Sequence, residues 1–455
     1  MIFLKKEKNK IRFLKIIIPN IAVPEVEYTF HCLMKVFLGL EYEVEISTTS
    51  KDFVIMIGSK KLVIRNHFFT SDDPQVLYQK ENVPQKVVSD DLVIEETKYP
   101  LYAMFGKAAW TETEDEIILE ADIIAATFFM LTRWEETLEG ERDMHQRFLG
   151  KNSLAHQNGF LEKPIVNQYV EVLWAFLQKN KITSTRKKRR FEIVPTHDVD
   201  IPFLFPNVIY GLRTIARYLV SPTYFWDGIN YLKFYLKGKD PYDTHDVFLD
   251  GAEKLGVKAH FFFMSGCHNR FDPRDQLEHP KVKKLIEKVQ KRGHQIGFHP
   301  SYKSYDDPVI FSQEKNRLEK IAGQKVATGR QHYLRFENPA TWNLWEKEKM
   351  EWDSTMSYAD EIGFRNGICY AFPVFDIFAR KKLNLIERPL ILMEGTLGLY
   401  MDISLEEAKN RVGELMNQVK KYEGDFVFLW HNSSLNFRQY SKYTSILTEI
   451  YNYKK

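Results

Sequence analysis

The sequence predicts an α/β protein in two parts, a smaller mixed domain followed by a larger one in which strands and helices alternate. Three observations carry this reading. After residue 190, strand-length apolar runs alternate with amphipathic helical stretches, the pattern of a parallel sheet, closed or open. The chain has 455 residues, which suggests more than one domain at roughly 150 residues each. A polar segment at 179–190 ends in five consecutive basic residues and divides the two patterns. We therefore expect an N-terminal α/β domain over 1–185 and the alternating domain over 191–455.

In the first part, 12–18, 42–47, 53–57 and 61–64 are β-rich runs. Residues 24–38 read as a helix with proline in its first turn. The stretch 118–138 is apolar around most of a helical circumference and predicts a long buried helix, and 165–178 predicts another. Arg186-Lys-Lys-Arg-Arg190 has the composition of a nucleic-acid or localisation signal. With 64 Lys and Arg against 61 Asp and Glu, the net charge is only +3, so a solvated linker is the better reading and nucleic acid is not an expected partner.

Beyond the linker, strands are expected at 191–195, 257–264, 294–299, 385–393 and 425–430, with 326–336 largely extended. Helices are expected at 244–255, 280–292, 312–322, 341–350 and 405–421. In such a sheet the chemistry gathers at the carboxyl ends of the strands.

Composition narrows the function classes. At 44% hydrophobic and 27% charged residues, the chain is neither disordered nor fibrous. Its aromatic content of 14% suits a large core or a sugar-binding cleft. Three scattered cysteines, Cys32, Cys267 and Cys369, argue against a disulfide framework and a cysteine zinc cluster, and fit a reducing compartment. The run Ile16-Ile17-Ile18 is broken by Pro19, a strand and not a signal peptide. No stretch reaches the roughly 18 apolar residues of a membrane span. The expectation is a soluble, cytoplasmic protein, with no indication of its oligomeric state.

The strand ends carry polar residues. Asp198 and Asp200 lie two apart after the run Phe-Glu-Ile-Val, so both point to one face and can share a site, as a metal ligand beside a general base or as loop caps. Thr244-His-Asp-Val247 repeats four of the same letters before an amphipathic helix, where N-capping by Asp243 or Thr244 explains it. His294 and His299 differ by five positions and face opposite ways, so only one can join the site. Arg330 and His332 share a face of the extended stretch, and the last strand delivers His431 and Asn432 at its tip.

The order of these motifs resembles the polysaccharide deacetylases, the NodB-homology or carbohydrate esterase family 4 group, over about 191–455. Thr196-His-Asp-Val-Asp200 is similar to their first motif, and Lys258-Ala-His-Phe-Phe-Phe263 to their second-strand signature. Gly293-His-Gln-Ile-Gly-Phe-His299 resembles the strand with the metal histidine, and Gly329-Arg330 the third motif. Trp352-Asp-Ser-Thr-Met-Ser-Tyr358, with Gly363-Phe-Arg365, occupies the fourth, and Phe428-Leu-Trp-His431 matches the fifth. The region 121–172, including Glu141-Arg-Asp-Met-His-Gln-Arg-Phe148, also resembles an uncharacterised domain that precedes some bacterial deacetylase domains.

The resemblance implies a distorted (β/α) barrel that hydrolyses N-acetyl, sometimes O-acetyl, groups on sugars with a divalent metal, Zn2+ by preference. By position, Asp198 becomes the general base, Asp200 and His299 metal ligands, Arg330 the group that orients the base, and His431 the general acid. A cation would polarise the poorly electrophilic amide carbonyl. His431, with an ordinary pKa of about 6.5, would protonate the departing amine. Tyr302, Tyr333 and Trp430 are the expected sugar-binding side chains. The family pattern is broken at one position: its second metal histidine falls on Lys303, whose ammonium has no lone pair for a cation. His332 is the preferred substitute ligand, and a Lys303 ammonium supplying charge in place of the metal is the alternative. Two competing functions follow, a hydrolase of another non-peptide C–N bond such as a cyclic amide, and a non-catalytic glycan-binding or scaffold protein.

Overall fold

The computed structural model describes residues 14–58, 60–182 and 184–454. Residues 12 and 13 of the first expected strand and Thr183 of the linker lie outside the described residues. The chain forms two compact units, one of 1–129 with 168–188 and one of 130–167 with 189–455.

In the first unit, strands β1 (Leu14–Pro19), β2 (Tyr42–Ser47), β3 (Phe53–Ile57) and β4 (Lys60–Ile64) are followed by β5 (Val88–Ile94), β6 (Thr97–Ala103), β7 (Gly106–Glu112) and β8 (Glu116–Ala121). Six of them make one mixed sheet in the order β2-β1-β3-β4-β8-β7, and β5 pairs with β6 apart from it. The parallel pair of β1 and β2 is joined through the helix Val23–Phe30 and its π-helical continuation His31–Leu38, so 24–38 is helical as expected. Ile16 and Ile18 of β1 and Phe53, Ile55 and Ile57 of β3 face the core by strand alternation.

The expected helix over 118–138 is shorter than its composition suggested. Ile117, Leu119 and Ala121 are buried at every second position, which makes Glu116–Ala121 a strand. Asp122 then accepts the backbone N–H of Ala125 at 2.8 Å and starts the helix Ile123–Thr132. Arg133, at φ 53°, ends it. Residues 130–167 belong to the second unit although they precede the basic segment.

The second unit is built on β9 (Glu192–Val199), β10 (His260–Met264), β11 (Gln295–His299), β12 (Thr328–Gly329), β13 (Trp352–Asp353), β14 (Phe372–Asp376), β15 (Lys381–Glu387), β16 (Leu392–Met393) and β17 (Asp425–Leu429). Their order is β14-β15-β13-β12-β11-β10-β9-β17-β16, parallel throughout except for β14. The expected parallel α/β sheet is present, but among the described residues its ladder stays open between β14 and β16. Parallel strands place their carboxyl ends on one side, so the tips of β9, β11, β12, β16 and β17 converge.

Two expected elements differ. The single strand over 385–393 is two, β15 and β16, on opposite flanks of the sheet, because Pro389 cannot donate to a ladder and the chain crosses over there. The extended stretch 326–336 is strand only at β12, and then tightens into a 3-10 turn at His332–Leu334, with Tyr333 at φ 61° and Leu334 at φ 54°.

A candidate metal centre and its cleft

The tips of these strands line a cleft of about 240 Å3 that contains Asp198, Asp200, His299, His332, Glu394 and His431. Alternation along β9 aims Asp198 and Asp200 into it together, as expected. His197, between Thr196 and Asp198, turns the other way: it stacks on Phe248 with centroids 3.9 Å apart, donates from Nδ1 to the Trp430 carbonyl and accepts from the Tyr451 hydroxyl. Burial lowers its pKa to about 3, so it is a neutral core histidine. His294 likewise points away and accepts the Ala259 N–H at 3.0 Å.

Three acceptors meet on one side of the cleft. Asp200, His299 and His332 each offer a ligand atom, and these atoms lie within 4.8 Å of one another. His299 Nδ1 donates to the Arg330 carbonyl at 2.7 Å, and His332 Nε2 faces the Phe271 carbonyl at 3.4 Å. A carbonyl only accepts, so both tautomers are set from behind and the remaining ring nitrogens present lone pairs. Those nitrogens, His299 Nε2 and His332 Nδ1, are 3.1 Å apart, and His299 Nε2 is 3.1 Å from Asp200 Oδ1. Asp200 Oδ1 is itself shut off from solvent and finds no hydrogen-bond donor while the imidazoles are neutral. Lone pairs this close repel unless positive charge lies between them.

The titration behaviour expresses the same demand. Burial alone would lower His299, but Asp198 and Asp200 raise it. Burial would raise Asp200, but His332 and His299 hold it far below the ordinary carboxylate range. His332 is lowered to about 4, chiefly by burial, which keeps its ring neutral and able to coordinate. The donor set of one carboxylate and two imidazoles fits a divalent cation of the Zn2+ type.

Beside this cluster stand two oriented groups. The fully buried Arg330 donates from Nη1 to Asp198 Oδ1 at 2.8 Å, while its other nitrogens reach the Ser354 carbonyl, the Ser354 hydroxyl and Thr196. His431 donates from Nδ1 to Glu394 Oε1 at 2.7 Å, leaving Nε2 toward the cleft, 3.8 Å from Asp200 Oδ2. Burial would lower His431, but Glu394, Asp200 and Asp198 together push it up to about 10, so the ring carries a proton at neutral pH.

Several expectations need correction. Lys303 is exposed and does not line the cleft, so its ammonium cannot replace a metal's charge there. Tyr302 is buried behind the cleft, stacked on Phe271 with centroids 4.6 Å apart and its hydroxyl 3.2 Å from His145 Nδ1. Trp430 is fully buried, because alternation along the last strand sends Leu429 and His431 into the cleft and Trp430 away from it. Of the three expected sugar contacts only Tyr333 lines the cleft. Thr244 occupies the N-cap of the helix His245–Leu255 but makes no side-chain cap; its hydroxyl donates to the Asn432 carbonyl at 2.7 Å instead. His332 reaches the cluster from the 3-10 turn, not from an extended strand shared with Arg330.

Two charged cleft residues were not anticipated. Glu394 directly follows β16, and a carboxylate at a strand tip is the signal that marked Asp200. Arg147 lies in the Glu141–Phe148 segment and is held by Asp143, the Tyr333 carbonyl and the Tyr400 hydroxyl.

Comparison with known proteins adds three findings. Residues 14–182 match the model of a family of unknown function, DUF7033. No curated protein matches the chain. The C-terminal part is similar to solved structures of polysaccharide deacetylase type. One, named as a polysaccharide deacetylase from Mycobacterium smegmatis, is 15% identical over 59% of this chain and 87% of that one, with a TM-score of 0.38. An allantoinase structure is 9% identical over 57% and 83%, with a TM-score of 0.33. A mutant of a CE4 family pseudoenzyme is 14% identical over 58% and 64%, with a TM-score of 0.28.

Proposed function

We infer that this protein is a metal-assisted hydrolase that removes acetyl groups from N-acetylated sugars or polysaccharide, on a distorted (β/α) barrel left open between β14 and β16. The observation that carries this is the meeting, in one cleft, of an acceptor triad with an Arg330-held carboxylate and a Glu394-held imidazolium. Both pairs aim a titratable group into the cleft, Asp198 and the Nε2 of His431. A divalent cation held by Asp200, His299 and His332 would polarise the amide carbonyl and offset the negative charge that develops on its oxygen.

The chain's own groups divide the proton transfers. Arg330 fixes one oxygen of Asp198, leaving Oδ2 to take a proton from water as the water oxygen bonds to the carbonyl carbon. His431 then gives its Nε2 proton to the nitrogen as the C–N bond breaks, so the products are acetic acid and the free amine. Glu394 holds the ring in the tautomer that makes this possible, a positioning role. Tyr333 and the half-exposed Leu399 and Tyr400 rim the cleft and would face the sugar. His332 supplies the third ligand that Lys303 cannot, which favours this reading over a non-catalytic scaffold.

The test is release of acetate from N-acetylated glucosamine oligomers by the full chain with Zn2+ or Co2+. Turnover is expected, and Asp198→Asn should lower kcat by roughly 100-fold or more while leaving metal binding intact. Absence of turnover on N-acetylated sugars, with metal bound, would remove the acetyl-sugar assignment; unchanged turnover in Asp198→Asn would remove Asp198 as base.

A further inference from the structure

Between β9 and β10 the chain forms a helical hairpin, Val208–Val220 and Phe225–Leu236. Its inner face is an ordinary core, in which Ile215, Tyr231 and Tyr242 close over Leu204 and Phe205. The outer face is apolar as well. Ile209, Leu212, Ala216 and Val220 recur at helical spacing on the exposed side, with Ile209 at 64% and Val220 at 81% exposure. Tyr224 and Phe225 are exposed at the turn, and the second helix exposes Trp226 at 61% and Leu236 at 76%. Exposed apolar side chains scattered singly need no explanation, but a group on one hairpin does.

Within 208–239 the exposed charges have one sign. Arg213, Arg217, Lys233, Lys237 and Lys239 are all exposed, while the only acid from 208 to 239, Asp227, is buried and accepts the Arg438 N–H at 2.9 Å. Aliphatic side chains, an indole and cations without an exposed acid match the boundary of an anionic bilayer, where apolar groups enter the acyl edge and cations meet headgroup phosphates. A second copy of this chain would set the same cations against each other, so charge disfavours self-pairing. Aromatic contacts also lead from the hairpin toward the cleft: Phe437 lies 6.0 Å from Tyr224 and 5.6 Å from Tyr440, which lines the cleft.

We propose that this hairpin docks the protein peripherally on an anionic phospholipid surface. Among the described residues no helix is long and apolar enough to cross a membrane, so the contact is at the surface. The proposal stands apart from the hydrolase reading, because vesicle binding is measured without turnover.

The experiment is co-sedimentation of the full chain with phosphatidylcholine vesicles, with and without phosphatidylglycerol. Two double variants, Val220→Ser with Trp226→Ser and Arg213→Glu with Arg217→Glu, alter only exposed side chains, and circular dichroism checks that they fold. Binding to the phosphatidylglycerol vesicles is expected, weaker binding without that lipid, and a loss of roughly tenfold or more in each double variant. Three results would each overturn it: no binding by the folded wild-type chain, binding unchanged in both variants, or a solution dimer dissolved by the Val220 and Trp226 changes without vesicle binding.

Discussion

Asp200 Oδ1, His299 Nε2 and His332 Nδ1 point lone pairs at one another, and a single truncation should show what lies between them. Asp200→Ala removes the only anionic member, so the protein should lose its equivalent of divalent metal in elemental analysis and in Co2+ titration, with an unchanged far-ultraviolet spectrum. Lys303→Ala should leave both readings as they are, since that side chain lies in solvent. A Lys303 variant that lost metal would overturn the assignment of His332 as third ligand. Glu394 acts one step further back. It raises the His431 pKa, and a general acid works only below its pKa, so activity is lost as pH rises through that value. Glu394→Gln removes the charge that holds the proton, and the alkaline limb of the kcat profile should move to lower pH. An unmoved limb with reduced kcat would make Glu394 merely structural.

At the scale of strands and turns, close backbone approach decides the geometry of the cleft. Arg330 directly follows the two-residue strand β12, which lies tight against β11, and His332 follows in the turn beyond it. A Cβ on Gly329 would sit 2.0 Å from the Phe298 carbonyl oxygen, so no larger side chain fits without moving one strand from the other. Gly329→Ala should therefore cost about 1–3 kcal/mol in thermal or denaturant unfolding, and should weaken metal binding because Phe298 and His299 share the displaced strand. The elements also explain what could be read beforehand. Strand alternation is a local rule, and it correctly put Asp198 and Asp200 on one face and separated His294 from His299. It failed where the chain stops being a strand: His332 arrives from a turn with two residues at positive φ. Trp430 obeys the rule and faces the core, against the motif resemblance that made it a sugar contact. Pro389 within 385–393 was a visible break, and noticing it would have placed Glu394 at a strand tip of its own. The helical hairpin after β9 has no period that distinguishes its inner apolar face from its outer one, so exposure there was not legible in the sequence.

The second unit as a whole depends on residues 130–167, which composition alone assigned to the other side of the basic segment. One of their links to 189–455 is a buried charge cluster. Glu136 accepts Arg133 at 3.0 Å and pairs bidentately with Arg365, while the Tyr358 hydroxyl accepts from Arg133 at 2.8 Å. All four side chains are buried, so removing Glu136 leaves the Arg365 guanidinium buried without its carboxylate partner. Burial would raise the Glu136 pKa, but Arg365 and Arg133 outweigh it and hold it at about 2, below its ordinary 4.5. A depressed carboxyl contributes stability in full above the unfolded value and loses it as pH falls through the folded one. Thermal melts should then show Glu136→Gln well below the wild type at neutral pH, by about 3–5 kcal/mol for a broken buried pair. That gap should narrow as pH drops from 4.5 toward 2, where the wild-type carboxylate itself takes up a proton. A gap that stayed constant over this range would mean that the charge on Glu136 does not hold 130–167 in the second unit.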